Sequence, residues 1–301
     1  MSEINTSSYS ADLLPGLVKK WFSIVPKDLE QLYSQMMKVE TSDRQYEIHA
    51  TNTGFSSLVQ KEASASLVLD SSQEAIKPRY EHLTYALGFA ITKEMMRDGT
   101  AFGNAKKFTE MLARSARVTK EIVASNILNY AGTSGYTMAG GDTVILASAS
   151  HPTRAGNQSN ILASGADLSE AALEALRVQI RNAKDNRGLR INLMIKDLII
   201  NPAQEALAHR ILKSSVQLDT LNNANFLKDT ATVKRIIVNP YLTSTTQWQV
   251  TTTVDDGLLF LVRQEPEMDT DNVFMTKNGV YSVDMRISAG WDDFRGTYFS
   301  L

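Results

Sequence analysis

The run Lys106–Tyr130, KKFTEMLARSARVTKEIVASNILNY, is the longest periodic segment of the chain. Apolar or small residues recur at helical spacing: Phe108, Met111, Leu112, Ser115, Thr119, Ile122, Val123, Asn126, Ile127 and Tyr130. Lys107, Glu110, Arg114, Arg117, Lys120 and Glu121 take the other face. Glu110–Arg114 and Arg117–Glu121 stand at i,i+4, where opposite charges support a helix. Neither Gly nor Pro interrupts the run, and Ala131-Gly132 supplies a stop. At about 1.5 Å per residue the helix spans roughly 37 Å, the width of a small domain, so it must serve as a spine. Its stripe, broken by Ser115, Thr119 and Asn126, predicts a helix laid across a sheet with one face wet.

The flanking segments fit a mixed α+β chain. Residues 1–45 read as an arm ending in a short amphipathic helix through Leu29, Leu32, Tyr33, Met36 and Met37. Leu17, Val18, Trp21, Phe22, Ile24 and Val25 form an apolar patch that needs a partner surface, within the chain or on a neighbour. Residues 46–80 are rich in Ser, Thr and Ala and predict a two-stranded excursion, around Ile48 and around Ser66–Leu69. It is too thin to own a core and has to lean on another chain. Leu83–Ile91 alternates as a strand, and a short helix over Lys93–Arg97 precedes the spine. Asp167 with Glu170 predicts a capped helix lined by Leu173, Leu176 and Ile180 and ended by Gly188. Leu193–Ile200 reads as a strand, and Asn201-Pro202 opens a helix running to about Lys213. Strands follow at Val233–Val238, Trp248–Val254, Leu258–Val262 and Tyr281–Ile287.

Composition removes whole classes of chemistry. The 301 residues include no cysteine, which excludes disulfides, thiolate nucleophiles and Cys-zinc sites. Apolar runs reach only about five residues, too short for a membrane-spanning helix, and no secretory signal is visible at the N-terminus. A net charge of −2 and a pI near 6.1 argue against a protein that grips nucleic acid. His49, His82, His151 and His209 lack metal-ligand spacing. His151 heads a polar loop, and with Ser159 it could imitate a nucleophile and base, although no G-x-S-x-G elbow is present. The other reading is a loop that fixes a crossing between two domains. GTSGYTMAGG, ending at Gly141, lacks the G-K-[ST] close of a phosphate cradle and is expected to be a flexible connection. Asp255-Asp256-Gly257 reads as a hairpin turn and Asp269-Thr270-Asp271 as a solvated loop. The cluster Trp291–Gly296 is either a docking patch or a terminal strand anchored by Trp291 and Phe294. No catalytic residue, cofactor or metal is expected.

His151-Pro152, Gly156-Asn157-Gln158-Ser159-Asn160, the helix start Leu168–Leu173 and Lys184–Gly188 form a set with Asn239-Pro240-Tyr241-Leu242, Arg263 with Pro266, and Asp292-Asp293-Phe294-Arg295. In this order the chain resembles the major capsid proteins of tailed bacteriophages with the Hong Kong 97-type fold, and more narrowly the Mu-like major head subunits. The resemblance implies an arm (1–45), an extended β loop (46–80), a peripheral domain (81–160 and 279–301) carrying the spine helix 106–130, and an axial α+β domain (161–278). It implies a non-enzymatic subunit that self-assembles as pentamers and hexamers into an icosahedral shell around double-stranded DNA. The implied partners are further copies, a portal protein, and separate scaffold, protease or decoration proteins, with weak non-specific contact to DNA and none to membrane. The implied place is the virion, assembled in the host cytoplasm. Contacts between subunits are expected at Trp21, Phe22, Tyr46, Phe55, Lys61, Leu67, Trp291, Phe294 and Arg295. Lys61 lies in the kind of loop where some members cross-link Lys to Asn. Two alternatives stand beside this: a bacterial nanocompartment shell of the same fold, and a hydrolase using His151 and Ser159.

Overall fold

The computed structural model describes residues 22, 31–63, 66–92, 94–95, 101–214, 225–230, 232–272 and 278–301. Trp21, nearly all of the N-terminal apolar patch and most of the expected helix at 93–97 lie outside the described residues. The elements are α1 (Tyr33–Met36), β1 (Lys38–Thr41), β2 (Tyr46–Ile48), β3 (Arg79–Glu81), β4 (Leu83–Ile91), α2 (Ala101–Asn129), α3 (Glu170–Arg181), β5 (Ile195–Ile200), α4 (Glu205–Lys213), α5 (Phe226–Asp229), β6 (Arg235–Val238), β7 (Trp248–Thr252), β8 (Leu258–Asn272), β9 (Gly279–Trp291) and β10 (Thr297–Ser300).

The spine is α2, 29 residues long and starting five residues earlier than its periodicity announced. Its buried face is made of small and branched residues: Ala105, Thr109, Leu112, Ala113, Ala116, Ala124, Ile127 and Leu128. Four alanines let the helix approach the sheet closely. Phe108, Met111 and Ile122, expected to lead the apolar stripe, stay exposed. Lys120 and Glu121, expected on the wet face, are buried. The cause is a segment arriving from far along the chain. The Glu121 carboxylate accepts the backbone N–H of Leu32 (3.0 Å) and of Tyr33 (2.9 Å), satisfying donors that the short helix α1 leaves open. The Lys120 ammonium pairs with Glu265 on β8.

The first sheet has the order β1-β8-β9-β4. Its centre is the antiparallel β8–β9 ladder, running from Leu258↔Trp291 to Asn272↔Gly279. β8 is 15 residues long, where only Leu258–Val262 read as strand. Bulges between Val262 and Gln264 and between Gln264 and Glu267 carry the ladder past Pro266. Asp269–Asp271 therefore lies in a strand and not in a solvated loop. The second sheet has the order β10-β7-β5-β6, with α3 and α4 contributing Leu173, Leu176, Ile180, Ala208 and Ile211 to the same cluster as Leu198, Trp248 and Val250. The N-cap of α3 is Ser169, whose side chain accepts from Ala172 N, two residues beyond the expected Asp167, and α3 stops well short of Gly188. Asn201 caps its helix start as anticipated, with Pro202 at the first helical position.

Two short connections cross between the sheets, besides the long one from β4 to β5. β7 belongs to the second sheet and β8 to the first, so Asp255–Gly257 is a crossing and not a hairpin turn. β9 belongs to the first sheet and β10 to the second. The crossings touch at Gly257 and Gly296, where a Cβ on either glycine would press on the backbone of the other. β8 thus pairs with β9 across position 278/279, and β10 returns to the second sheet. One cluster bridges both sheets, joining Ile199, Ile237 and Phe299 to Phe260, Val262, Met285, Ile287, Ile127 and Leu128.

Ser66–Leu69, expected as a strand, is extended without a ladder; the partner of β2 is β3, through Tyr46↔Glu81 and Ile48↔Arg79. Apolar β-forming residues make a strand only where another backbone offers hydrogen bonds, and here none does.

Replacing Glu121 by Ala strands two N–H groups of α1 and removes a buried carboxylate, a loss of about 1–3 kcal/mol. At roughly 2–4 °C per kcal/mol, the melting temperature of the unassembled subunit is expected to drop by several degrees, measured by calorimetry. An unchanged value would mean that α1 is held by its apolar contacts alone.

Candidate inter-subunit surface

The excursion from Tyr46 to Tyr80 is rooted by one carboxylate. His49, leaving along β2, places Nδ1 2.7 Å from Asp292 Oδ2. Tyr80, returning along β3, donates its hydroxyl to Asp292 Oδ1 at 2.5 Å. Both edges of the ribbon therefore grip a single side chain that is 4% exposed. Burial pushes the Asp292 carboxyl up from its ordinary range, while the bonds from Tyr80 and His49 pull it down. Burial, then the charge of Asp292, pushes the Tyr80 phenol far above its ordinary value, so it remains a donor. Lys77 N and Arg79 N donate to the carbonyls of Gly140 (3.0 Å) and Ala139 (2.7 Å). Gly140 has φ +71°, and a Cβ there would collide with the Lys77 carbonyl. The glycine-rich loop, expected to be a flexible connection, is a fitted platform for the returning strand.

Beyond the root, cover disappears. Phe55 is 62% exposed, Leu58 101%, Leu67 76% and Leu69 92%, and Val59 and Val68 are also open. A few polar contacts steady the extension: Asp70 accepts from Ser56 N at 2.8 Å, and Arg187 reaches Asp70 and the Ser71 carbonyl. Six large apolar side chains on one thin segment form a patch that monomeric soluble proteins avoid. Such a segment can do one thing well, which is adhere.

The residues expected at contacts divide into two groups. Phe55, Lys61 and Leu67 stand open on the extension, and Tyr46 is exposed at its root with the Arg79 guanidinium 4.4 Å from its ring centre. Phe22 is half-buried against the cluster of Ile91, Leu112, Met268 and Tyr281. Trp291, Phe294 and Arg295 are turned inward within the subunit, as in the anchored-strand reading. Trp291 sits in the bridging core. Phe294 stacks on His151 with ring centres 4.0 Å apart and planes 5° apart. Arg295 donates to Asp293, to the Lys184 carbonyl (2.8 Å) and to Asn186 (2.9 Å).

His151 and Ser159 do not meet as base and nucleophile. His151 is buried, with Nδ1 2.6 Å from Asp142 Oδ2 and Nε2 facing the Leu146 carbonyl (3.1 Å) and Asn160 Oδ1 (3.2 Å). Ser159 donates to the Ile161 carbonyl at 3.0 Å. Asn160 Nδ2 donates to the carbonyls of Leu146, Phe294 and Thr297. This junction ties the polar loop to the chain entering β10, the crossing role that the sequence offered as the alternative. Among the described residues no group of three His, Asp or Glu side chains could hold a metal ion. His49, Tyr80, Lys120 and Glu121 were not singled out for their joints. Their partners lie far away in the chain, so the local pattern carries no signal of these joints.

A family model described as phage capsid protein matches residues 77–299. A comparison with curated proteins gave no match. Among solved structures, the capsid of an empty GTA particle is similar with a TM-score of 0.58 at 11% identity, covering 91% of each chain. The capsid of Myoviridae phage XM1 gives 0.52 at 8% identity, covering 91% of this chain and 92% of that one. A virus-like particle from Pyrococcus furiosus gives 0.50 at 13% identity, covering 96% and 97%. At these identities the structural likeness concerns the fold, while the family model speaks for descent. On the match over most of its length and the shared architecture, the chain belongs to the phage capsid protein family and carries the Hong Kong 97-type fold.

Proposed function

We propose that the chain is a major head subunit of the Mu-like kind, which self-assembles as pentamers and hexamers into an icosahedral shell around double-stranded DNA. The observation that carries this is the uncovered extension: a rigidly rooted segment that presents Phe55, Leu58, Val59, Leu67, Val68 and Leu69 to solvent. In a shell each subunit covers its neighbour's extension, and many modest contacts sum by multivalency. Burying one such side chain is worth roughly 1.5–3 kcal/mol. The extension (46–80) and the peripheral part (81–160 and 279–301) reach neighbours, and the axial part (161–278) gathers around the symmetry axes. Tyr46, Phe55, Lys61 and Leu67 make contacts, while Trp291, Phe294 and Arg295 shape the root from within. A net charge of −2 suits a wall that holds DNA only weakly. The role is structural, not enzymatic. A portal, and scaffold, protease or decoration proteins, are further partners, with assembly in the host cytoplasm and residence in the virion.

A second reading, a bacterial nanocompartment shell, draws on the likeness to the Pyrococcus furiosus particle. It predicts an enzyme inside purified particles where the capsid reading predicts DNA.

Electron microscopy of the concentrated protein is expected to show closed shells or curved sheets. A species that stays monomeric under every assembly condition would defeat the proposal. Leu67→Asp with Leu69→Asp removes no contact within the fold, so the subunit's melting temperature is expected to move by no more than about 2 °C. The assembled fraction is expected to drop at least tenfold, since a loss of about 1.4 kcal/mol at each interface already gives that factor. Sedimentation reads both states.

A further inference from the structure

We infer that Arg263 and Arg286 form an anion site on the face of the first sheet opposite α2, shaped to receive a carboxylate from a second copy of this chain. The inference rests on the shell reading above. Along β9, Tyr281, Val283, Met285 and Ile287 are buried on the α2 side, which turns Arg286 to the opposite face beside Thr84 of β4. Arg263 is the extra residue of the bulge between Val262 and Gln264, and Gln264 faces Arg286 in the ladder. The two guanidinium groups thus flank one position of the sheet.

That position is centred on His82, buried between the hydroxyls of Ser42 and Ser288 at 3.1 Å each. Burial, then Arg263, with a smaller push from Arg286, holds His82 below its ordinary value, while Glu47 opposes. Both arginines therefore project their charge onto the same point.

Neither has an acceptor among the described residues. Arg263 Nη1 and Arg286 Nε are sealed from solvent with no hydrogen-bond partner. Arg235 and Arg295, by contrast, each have a carboxylate: Arg235 meets Asp197 at 2.8 Å and Arg295 meets Asp293 at 3.0 Å. The acids nearest the pair are engaged elsewhere, Glu47 with Ser42 and Arg44, and Asp284 with the Gln264 amide at 2.9 Å. Both residues are half-buried, so with these two nitrogens sealed it is the rest of each side chain that meets solvent, where a carboxylate can pair with a guanidinium. Glu47, Asp284 and Glu267 stand around the pair and disfavour a polyanion. Copies of this chain carry single acidic side chains in the open, Glu62 on the uncovered extension among them.

Arg286→Lys keeps the charge and supplies an amine that a carbodiimide joins to any carboxylate touching it. Particles are assembled from an equal mixture of isotopically light and heavy copies of this variant, cross-linked, digested and read by mass spectrometry. The expected product joins position 286 to an acidic peptide, with light–heavy pairs making up about half of the links. Same-label links alone, or no link in well-formed particles, overturn the inference and leave the shell reading standing. Failure of the unsubstituted protein to form any particle overturns both. The Arg263→Gln, Arg286→Gln double variant is expected to melt at the unsubstituted subunit's temperature and to assemble at least tenfold less. Unchanged assembly overturns the inference. So does duplex DNA binding by the unsubstituted subunit that the double variant abolishes, which would assign the pair to phosphate.

Discussion

The contact between α2 and the β8–β9 ribbon carries the architecture. A 29-residue helix spans about 44 Å, more than a small core can cover on its own. Strands of 15 and 13 residues match that length and give the helix a continuous bed. Alanines at 105, 113, 116 and 124 bring backbone and sheet together, and Leu112, Ile127 and Leu128 fill what remains. Because Ile127 and Leu128 also touch residues of the second sheet, the same helix fixes how the two sheets sit against each other.

Polar joints finish what apolar packing begins. Glu121, Asp292 and Asn160 are buried and bonded by groups from segments distant in sequence, while His151 is buried and bonded within its own loop. A buried charge or amide tolerates few alternative positions, so these joints specify geometry more than they add stability. Rigidity is concentrated at the root of the extension and ends there. One segment of the molecule is thus held firmly at its base, and beyond it the side chains of Phe55, Leu58, Val59, Leu67, Val68 and Leu69 are open.

Much of this was legible from residue patterns. Alternation announced β4, β7 and β9, and period 3.6 announced α2 and α3. The outer half of β8 was not legible, since polar residues and Pro266 disguise a strand that bulges carry forward. β1 and β10 escaped for a different reason. Four residues hold too short a pattern, and their pairing is decided by partners far away. The exposed apolar extension could be recognised as needing cover, but its β propensity was mistaken for pairing within the chain. Lys120 and Glu121 looked like solvated helix charges because nothing local reveals that α1 and β8 arrive over them.

The joint at Asp292 also orders events in time. Tyr80 stands 212 positions from it and His49 243, and β1 finds its partner across a comparable distance. Closing loops of that size is slow beside helix formation, which needs only near neighbours. A newly made chain therefore has its spine before it has the root that aims the extension outward. Copies that meet early therefore carry the apolar segment without the root that gives it one direction, and only a completed body presents it in a fixed place.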